Sequence, residues 1–327
     1  MARTKTRTHR ILLTGSSGTL GHHVLDQLLA RTDFEVLTIG RSERPAEGAK
    51  GNARHQVIDF ENKRQLTSVF RRFQPTCVIH CAAGGMIFPH VQWFKLIRFN
   101  VEVTLALFEQ AAAVPGCHFI HVSTGLAYRA TGAPLTENDA LENIHPYGAS
   151  KAAADILLRS AALEFGAPLT LFRPFSFTGL KDNRTRLFPS ILRAAAAGEA
   201  LPLSPGDQQR DFCSARDIAR GIVRGVDRPP APRCAALYNL GSGRALTLRE
   251  LIDEVVDQLR LPVQLKFGAH GYGAFEPMHL VADITRARSE LGWSPEHNLA
   301  HAVWQLARES FPALKLREPK EHFSPES

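Results

Sequence analysis

The chain has 327 residues, of which 44% are hydrophobic and 22% are charged. These proportions are typical of a globular protein and exclude a chain that is disordered or coiled coil throughout. No apolar run approaches the roughly 18 residues of a membrane span, so we expect no membrane protein. The five cysteines form no C-x-x-C pair, which argues against disulfides and zinc and predicts a reducing, cytoplasmic location.

The net charge of +7 is concentrated at the start of the chain. Four of the seven excess charges come from Arg3, Lys5, Arg7 and Arg10. We therefore interpret residues 1–9 as a basic, flexible arm. Basic residues are not spread over a face with aromatic residues between them, so we expect no nucleic-acid partner. No apolar segment of a secretory signal follows the basic start.

Short apolar runs alternate with segments of helical periodicity through the first half of the chain. The apolar runs predict strands at residues 10–14, 34–39, 77–81, 118–122 and 169–172. The helical spacing predicts helices near residues 20–30, 62–73, 91–113 and 147–165. Alternation of this kind predicts an α/β fold, a doubly wound parallel Rossmann sheet with helices on both faces.

The pattern loosens after this sheet domain, residues 10–174, because proline and glycine become frequent. We interpret residues 175–316 as a smaller C-terminal lobe packed against the carboxyl edge of the sheet. Some of its segments, such as residues 237–240, are expected to return to the first domain. Residues 317–327 form a polar tail.

A glycine-rich segment, Gly15-Ser16-Ser17-Gly18-Thr19-Leu20-Gly21, lies between the first predicted strand and the first predicted helix. Glycines let the backbone turn sharply and approach a pyrophosphate at a helix N-terminus. The position therefore predicts a cofactor-binding loop, and a tight turn without a ligand is the alternative. The candidate cofactor-binding residues of the loop are Gly15, Ser17, Gly18, Thr19, Leu20 and Gly21.

The end of the second predicted strand bears on the choice of cofactor. An acidic residue there would hold the ribose diol of NAD, but the chain has Gly40 followed by Arg41. Because arginine suits a 2′-phosphate, we expect NADP(H) to be preferred, with NAD(H) possible. A surface arginine in a loop is the alternative. Asp59 and Phe60 come where the third strand of such a sheet would end, and there a carboxylate could meet the adenine amino group or simply serve a turn.

Tyr147 and Lys151 are spaced i, i+4, so both side chains share one face of the predicted helix. A free tyrosine has a pKa of about 10 and is a poor base near neutrality. A neighbouring ammonium would favour the phenolate and lower that pKa. Thr124 ends the fourth apolar strand, where its hydroxyl could donate to a substrate carbonyl or alkoxide. A solvent-facing Tyr/Lys pair is the alternative interpretation.

A series of motifs runs nearly from end to end of the chain in a fixed order. The segments are Thr14–Gly21, His80–Ala83, Asn100–Val101, Ser123–Tyr128, Tyr147–Lys151, Leu171–Phe175, Gln209–Phe212, Asn239–Gly243 and Leu291–Pro295. Together they resemble the extended short-chain dehydrogenase/reductases, in the NAD(P)-dependent nucleotide-sugar epimerase/dehydratase/reductase branch. One motif could arise by chance, but the ordered series indicates the family.

This resemblance implies a role for each candidate residue. Tyr147 would be the catalytic acid and base, and Lys151 would lower its pKa and bind the nicotinamide ribose. Thr124 would hold the substrate oxygen, and Ala82 and Ala83 would contact the cofactor. The residues expected at the substrate are Gly84, Thr124, Ser176 and Arg210. Arg210 would meet a nucleotide diphosphate, and hydride transfer needs no metal, so we assign none.

Departures from the family pattern narrow the function. Sugar 4,6-dehydratases of the family carry an Asp-Glu pair directly after the catalytic threonine, where this chain has Gly125 and Leu126. Dehydration by that mechanism is therefore disfavoured. Arg41 favours NADPH, and NADPH favours net reduction. An arginine that often grips the nucleotide phosphates is missing near Gly273, and Glu276 lies close behind.

The first hypothesis is an NADPH-dependent reductase of a nucleotide-linked 4-keto-6-deoxy sugar, with hydride from nicotinamide and the proton from Tyr147. The alternatives are an NAD(P)-dependent nucleotide-sugar epimerase, a reductase of a carbonyl compound without a nucleotide, and a catalytically silent NADP(H)-binding regulatory protein. The resemblance also suggests a homodimer through helices 91–113 and 147–165.

Overall fold

The computed structural model describes residues 9–43, 53–84, 92–142 and 145–322. Most of the predicted basic arm and the last five residues of the polar tail lie outside this described part. The strands, in chain order, are β1 (His9–Thr14), β2 (Phe34–Gly40), β3 (Ala53–Val57), β4 (Cys77–His80), β5 (His118–Val122), β6 (Leu169–Pro174), β7 (Ser176–Thr178), β8 (Ala200–Pro202), β9 (Gln209–Arg210), β10 (Phe212–Ser214), β11 (Ala235–Leu240), β12 (Leu246–Thr247), β13 (Gln264–Lys266) and β14 (His279–Leu280).

Seven of these strands form one parallel sheet in the order β3-β2-β1-β4-β5-β6-β11. Thr14 at the end of β1 is paired with Ile39 on one side and His80 on the other. The predicted doubly wound parallel sheet is therefore confirmed. The strand order reverses between β1 and β4, which leaves a crevice at the carboxyl ends of these two strands.

Helices cover both faces of the sheet and build the lobe. They are α1 (Thr19–Leu29), α2 (Lys63–Phe73), α3 (Trp93–Ile97), α4 (Val103–Ala112), α5 (Pro146–Phe165), α6 (Leu187–Ala197), α7 (Ala215–Val226), α8 (Leu248–Leu259), α9 (Thr285–Leu291) and α10 (Leu299–Ser310). The predicted helix at 91–113 differs in detail, because a π-helical segment, residues 98–102, joins α3 to α4. None of the described helices is both long and apolar enough to cross a membrane.

Two apolar clusters lie on opposite faces of the sheet. One contains Val24 of α1 and Ile222 of α7, and the other contains Leu107 of α4 and Leu158 of α5. Because both faces are covered, the inner strands β2, β1, β4, β5 and β6 are mostly apolar and buried, as parallel sheets require. This burial explains why these five strands were predictable from short apolar runs, whereas the edge strand β3 is polar and partly exposed and was not predicted.

The lobe has its own apolar cluster, in which α6, α8 and α10 pack together. The sequence that contributes to the lobe is not continuous, since β11 leaves it and pairs with β6 at the edge of the sheet. Backbone hydrogen bonds hold the described end of the polar tail, from Arg317 N–H to Leu259 O at 2.9 Å and from Asn298 N–H to Glu321 O at 2.8 Å. The domain boundary at residue 174 stays a prediction.

Candidate active site

A cleft of about 1730 Å³ opens at the carboxyl edge of the sheet, where the strand order reverses. Open α/β sheets bind ligands at this point. The glycine-rich segment 15–21 and the ends of β2, β4 and β5 form one wall. The lobe forms the other wall and contributes Arg186 and Arg210. The predicted phosphate loop and the predicted substrate residues therefore meet in one cavity.

Most of the predicted site residues line this cleft. They are Gly15, Ser17, Gly18, Thr19, Leu20, Gly21, Arg41, Phe60, Ala82, Ala83, Gly84, Thr124, Tyr147, Ser176 and Arg210. In the described part of the chain, two predicted site residues lie outside the lining. Lys151 is completely buried behind it, and the carboxylate of Asp59 accepts a hydrogen bond from the Glu61 N–H at 3.0 Å, as a turn residue does.

Two glycines allow the loop to approach its neighbours closely. Gly15 has a φ of +76°, and a Cβ there would lie 2.5 Å from Ala82 N. A Cβ at Gly21 would lie 2.0 Å from Gly15 O. Gly18 caps α1 without a side-chain hydrogen bond, so the first N–H groups of the helix remain available to a ligand. This cradle fits the pyrophosphate of a nicotinamide dinucleotide.

Residues 178–186 of the lobe lie against the glycine-rich segment 15–21, the predicted phosphate loop. The Thr19 hydroxyl donates to Lys181 O at 3.1 Å. Asp182 accepts hydrogen bonds from the Thr178 hydroxyl at 2.7 Å and from the Arg186 guanidinium at 2.9 Å. Asp182 thus fixes Arg186 where its cationic group lines the cleft.

The end of the cleft where adenosine is predicted to bind (the adenosine end) is aromatic and basic. The Arg41 guanidinium carbon lies 4.5 Å from the centre of the Phe99 ring, and Phe60 packs edge-on against Phe99. No acidic side chain lines this end among the described residues, which omit 44–52. The sequence has no acidic residue directly after Gly40, and among the described residues no acidic side chain from elsewhere in the chain takes that place in the cleft.

Tyr147, Lys151 and Asp155 form a row along α5 that runs from the cleft into the core. Tyr147 lines the cleft, whereas Lys151 and Asp155 are completely buried. Lys151 Nζ lies 3.1 Å from His121 Nε2 on β5. Asp155 accepts hydrogen bonds from Arg173 Nε and from the Ser123 hydroxyl, each at 2.9 Å. These contacts fix the depth and rotation of α5 against the sheet.

Asn100 connects the cleft to the same helix. Its side-chain oxygen accepts from the Gly84 N–H at 2.8 Å, and its amide group donates to Gly84 O and to the Ser150 hydroxyl, each at 2.9 Å. Asn100 lies in the π-helical segment and is completely buried. It therefore ties the predicted substrate residue Gly84 to the helix that carries Tyr147.

Burial sets the protonation of the two central residues. It raises the pKa of Tyr147 to about 12, opposed in part by the Arg186 guanidinium. It lowers the pKa of Lys151 to about 8, opposed in part by the Asp155 carboxylate. Burial therefore outweighs the only cation among the described residues that lowers the tyrosine pKa, Arg186, and the lowering expected from Lys151 is not among the causes of the shift. Tyr147 holds its proton and is poised as a donor.

The predicted diphosphate contact, Arg210, is already paired. Its guanidinium donates to the Glu276 carboxylate and, at 2.7 Å, to Gln209 O. Burial lowers the pKa of Arg210, and the Glu276 carboxylate opposes that shift. An anionic substrate would therefore meet a mixed Arg210/Glu276 surface.

Comparison with known proteins agrees with this geometry. The model of the NAD dependent epimerase/dehydratase family matches residues 11–241, which include the phosphate loop, Thr124, Tyr147 and Lys151. The chain belongs to this family. The predicted family and enzyme class, an extended short-chain dehydrogenase/reductase, are thereby confirmed.

The similarity to individual relatives extends over nearly the whole length of this chain. It is 25% identical to the UDP-glucose 4-epimerase of Corynebacterium glutamicum, over 88% of this chain and 91% of that protein. It is 26% identical to the dTDP-glucose 4,6-dehydratase of Salmonella typhimurium, over 91% of this chain and 93% of that protein. The UDP-glucose 4-epimerase of Brucella ovis, solved in complex with NAD, superposes with a TM-score of 0.83 at 22% identity, covering 94% of this chain and 100% of that one.

Three residues of the candidate active site were not predicted from the sequence: Asp155, His121 and Arg173. Asp155 had a signal, since it lies four residues beyond Lys151 on the same helical face. His121 and Arg173 gave no signal of their own, because each lies in an apolar strand beside residues that are buried for packing. Their importance comes from the pairing of β5 with β6 and from the position of α5 over both strands.

Proposed function

We propose that the protein is an NAD(P)-dependent epimerase of a nucleotide-linked sugar, which oxidises one sugar carbon and reduces it again on the other face. The observation that carries the proposal is the convergence of Tyr147 and Thr124, with Lys151 behind them, on the cleft that holds the phosphate loop. Relatives named UDP-glucose 4-epimerase support the epimerase over the reductase that Arg41 suggested. One of these proteins binds NAD.

The residues of this chain would share the work as follows. A bound nicotinamide ring supplies reversible hydride transfer. Segment 15–21 would hold the pyrophosphate, and Lys151 would donate to the ribose. Tyr147 exchanges a proton with the reacting sugar hydroxyl, and the Thr124 hydroxyl donates to the same oxygen as charge develops on it.

Dehydration is opposed by the packing around Gly125. A Cβ at this position would lie 2.9 Å from atoms of the Phe175 ring, so an acidic side chain has no room there. Leu126, the next residue, lines the cleft and cannot move a proton. Neither of the two positions that would protonate a leaving hydroxyl in a 4,6-dehydratase therefore carries a group that can do so.

The test is conversion of a UDP-hexose by purified protein supplied with NAD⁺. UDP-glucose and UDP-galactose are the first substrates to try, and proton NMR with mass spectrometry identifies the product. We expect an isomer of unchanged mass and no accumulation of reduced cofactor. A product that has lost water would contradict the epimerase. So would a protein that leaves both UDP-hexoses unchanged but converts a 4-keto-6-deoxy nucleotide sugar, supplied with NADPH, into a product two hydrogens heavier.

The second candidate is the NADPH-dependent reductase of a nucleotide-linked 4-keto-6-deoxy sugar. It is favoured by one observation, the pairing of Gly40 with Arg41 at the adenosine end of the cleft. If Arg41 binds a 2′-phosphate, Arg41→Asp should weaken NADPH binding at least tenfold, equivalent to ~1.4 kcal/mol. Fluorescence titration measures this, with Arg54→Asp on β3 as the exposed control. Equal affinity of the unchanged protein for NADH and NADPH would remove the reductase candidate.

A homodimer is also part of the proposal. Large apolar side chains are exposed on α3, where Trp93, Phe94 and Ile97 lie, and on α5, where Ile156 and Leu163 lie. Exposed apolar surface of this extent on two neighbouring helices favours a protein partner, and a second copy of the chain fits the family resemblance. The cytoplasmic location rests on cysteine usage and stays a prediction.

A further inference from the structure

His121 is a buried titratable side chain that the proposed chemistry does not use. It lies on β5, is completely buried, and has its Nε2 atom 3.1 Å from Lys151 Nζ. Its Nδ1 atom has no hydrogen-bond partner among the described residues. The contact therefore joins one nitrogen of the imidazole to a side chain that carries the function.

The surroundings of His121 determine its charge. The charged and titratable groups around it are His80 at the end of β4, Lys151 and Asp155 of α5, and Arg173 of β6. Asp155 is engaged by Arg173 and Ser123, and its free oxygen lies 3.8 Å from His121 Nε2. Burial, together with the Lys151 and Arg173 cations, holds the pKa of His121 well below its usual range. The imidazole is neutral, and only a neutral imidazole can accept from an ammonium.

We propose that His121 is a positioning residue whose imidazole accepts a hydrogen bond from Lys151 and holds that ammonium charged and fixed behind the cleft. An ammonium has three N–H donors. His121 engages one of them from the sheet side, which leaves two for other partners. The proposal rests on the proposed function, because it takes Lys151 as the group that binds the nicotinamide ribose.

The sign of the effect follows from the charge that the hydrogen bond favours. Burial favours neutral Lys151, with a pKa of about 8. A hydrogen bond that accepts from the ammonium favours the charged form. Removing the acceptor should therefore lower the lysine pKa further, by about one unit if the bond has the usual strength of one to a charged group.

The experiment measures cofactor affinity against pH between 6.5 and 9.5, by fluorescence titration with NADH or NADPH, whichever binds more tightly. For the unchanged protein we expect affinity to fall as pH rises through about 8, where Lys151 loses its proton. His121→Phe should move that fall about one pH unit lower. His121→Gln should restore it, because the amide oxygen accepts a hydrogen bond. His118→Phe is the matched control, since His118 is buried on the same strand but bonds to Thr170.

Two outcomes overturn the proposal in distinguishable ways. If Lys151→Met weakens binding but His121→Phe gives the same pH midpoint as His118→Phe, His121 does not position the lysine and the proposed function is untouched. If Lys151→Met leaves affinity unchanged, the role of Lys151 fails and this proposal fails with it.

If His121→Phe does not fold, ¹⁵N NMR of the unchanged protein tests the proposal by showing which nitrogen of the His121 imidazole carries the proton. The proposal requires neutral His121 with its proton on Nδ1 throughout pH 6–9. An imidazolium, or a proton on Nε2, overturns it.

Discussion

Tyr147 and Lys151 have opposite pKa shifts with the same first cause. Burial raises the pKa of the phenol and lowers that of the ammonium, so each shift favours the neutral form. The i, i+4 spacing predicted that the two side chains share a helix face. It could not predict how deep that face lies, because the depth depends on the lobe that covers the cleft and on contacts such as His121, far away in the sequence.

The substitution Tyr147→Phe tests whether Tyr147 is the proton donor. The change keeps the ring and removes one hydroxyl, so fold and cofactor affinity should persist. Turnover should fall by ~10²-fold or more, the usual contribution of general acid–base catalysis. Tyr128→Phe is the control, because this buried hydroxyl donates to Asn239 rather than lining the cleft. Near-normal steady-state turnover in Tyr147→Phe would show that the proton comes from another group.

Helix α5 carries Tyr147, Lys151 and Asp155 and therefore positions the central side chains of the site. Its predicted span, 147–165, agrees with the observed Pro146–Phe165, because alanine-rich sequence and Gly166 mark the helix and its end. The π-helical segment that carries Asn100 was not predictable, since apolar periodicity does not distinguish a single wider turn from an α-helical one. Within that segment Asn100 is hydrogen-bonded to the Gly84 backbone and to Ser150.

The buried Asp155–Arg173 pair should dominate the attachment of α5 to the sheet. Asp155→Asn leaves Arg173 as an unbalanced buried charge, and the free energy of unfolding should fall by about 3–5 kcal/mol. Asp227→Asn, which breaks an exposed pair with Arg31, should cost about 1 kcal/mol or less. Urea denaturation of the two variants measures both values. Equal losses would mean that the buried pair does not anchor the helix.

The sheet could be predicted from the sequence more completely than the lobe. Buried parallel strands leave apolar runs in the sequence, so the doubly wound sheet followed from them. The lobe is built from strands as short as Gln209–Arg210, which pairs with β12 and β14 at positions distant in the sequence. Two-residue strands have no periodicity to detect, and the pairing of Arg210 with Glu276 depends on them.

The apolar surface of α3 and α5 makes a prediction about assembly. Leu157→Glu, on the exposed face of α5, should convert a dimer into a monomer because a charge cannot be buried in an apolar contact without a partner. Val57→Glu, at an exposed apolar residue on the edge strand β3, should leave the assembly unchanged. Light scattering coupled to gel filtration gives both masses. A monomeric unchanged protein would refute the homodimer.

The most direct test of the account follows one hydrogen atom. Purified protein is given a UDP-hexose deuterated at C4 and a trace of NAD⁺, together with an unlabelled pool of reduced cofactor. An epimerase that keeps its cofactor during turnover returns the same deuterium to the opposite face of the same carbon, so the epimer should carry the full label at unchanged mass. An epimer that has exchanged its label with the added cofactor would contradict the account.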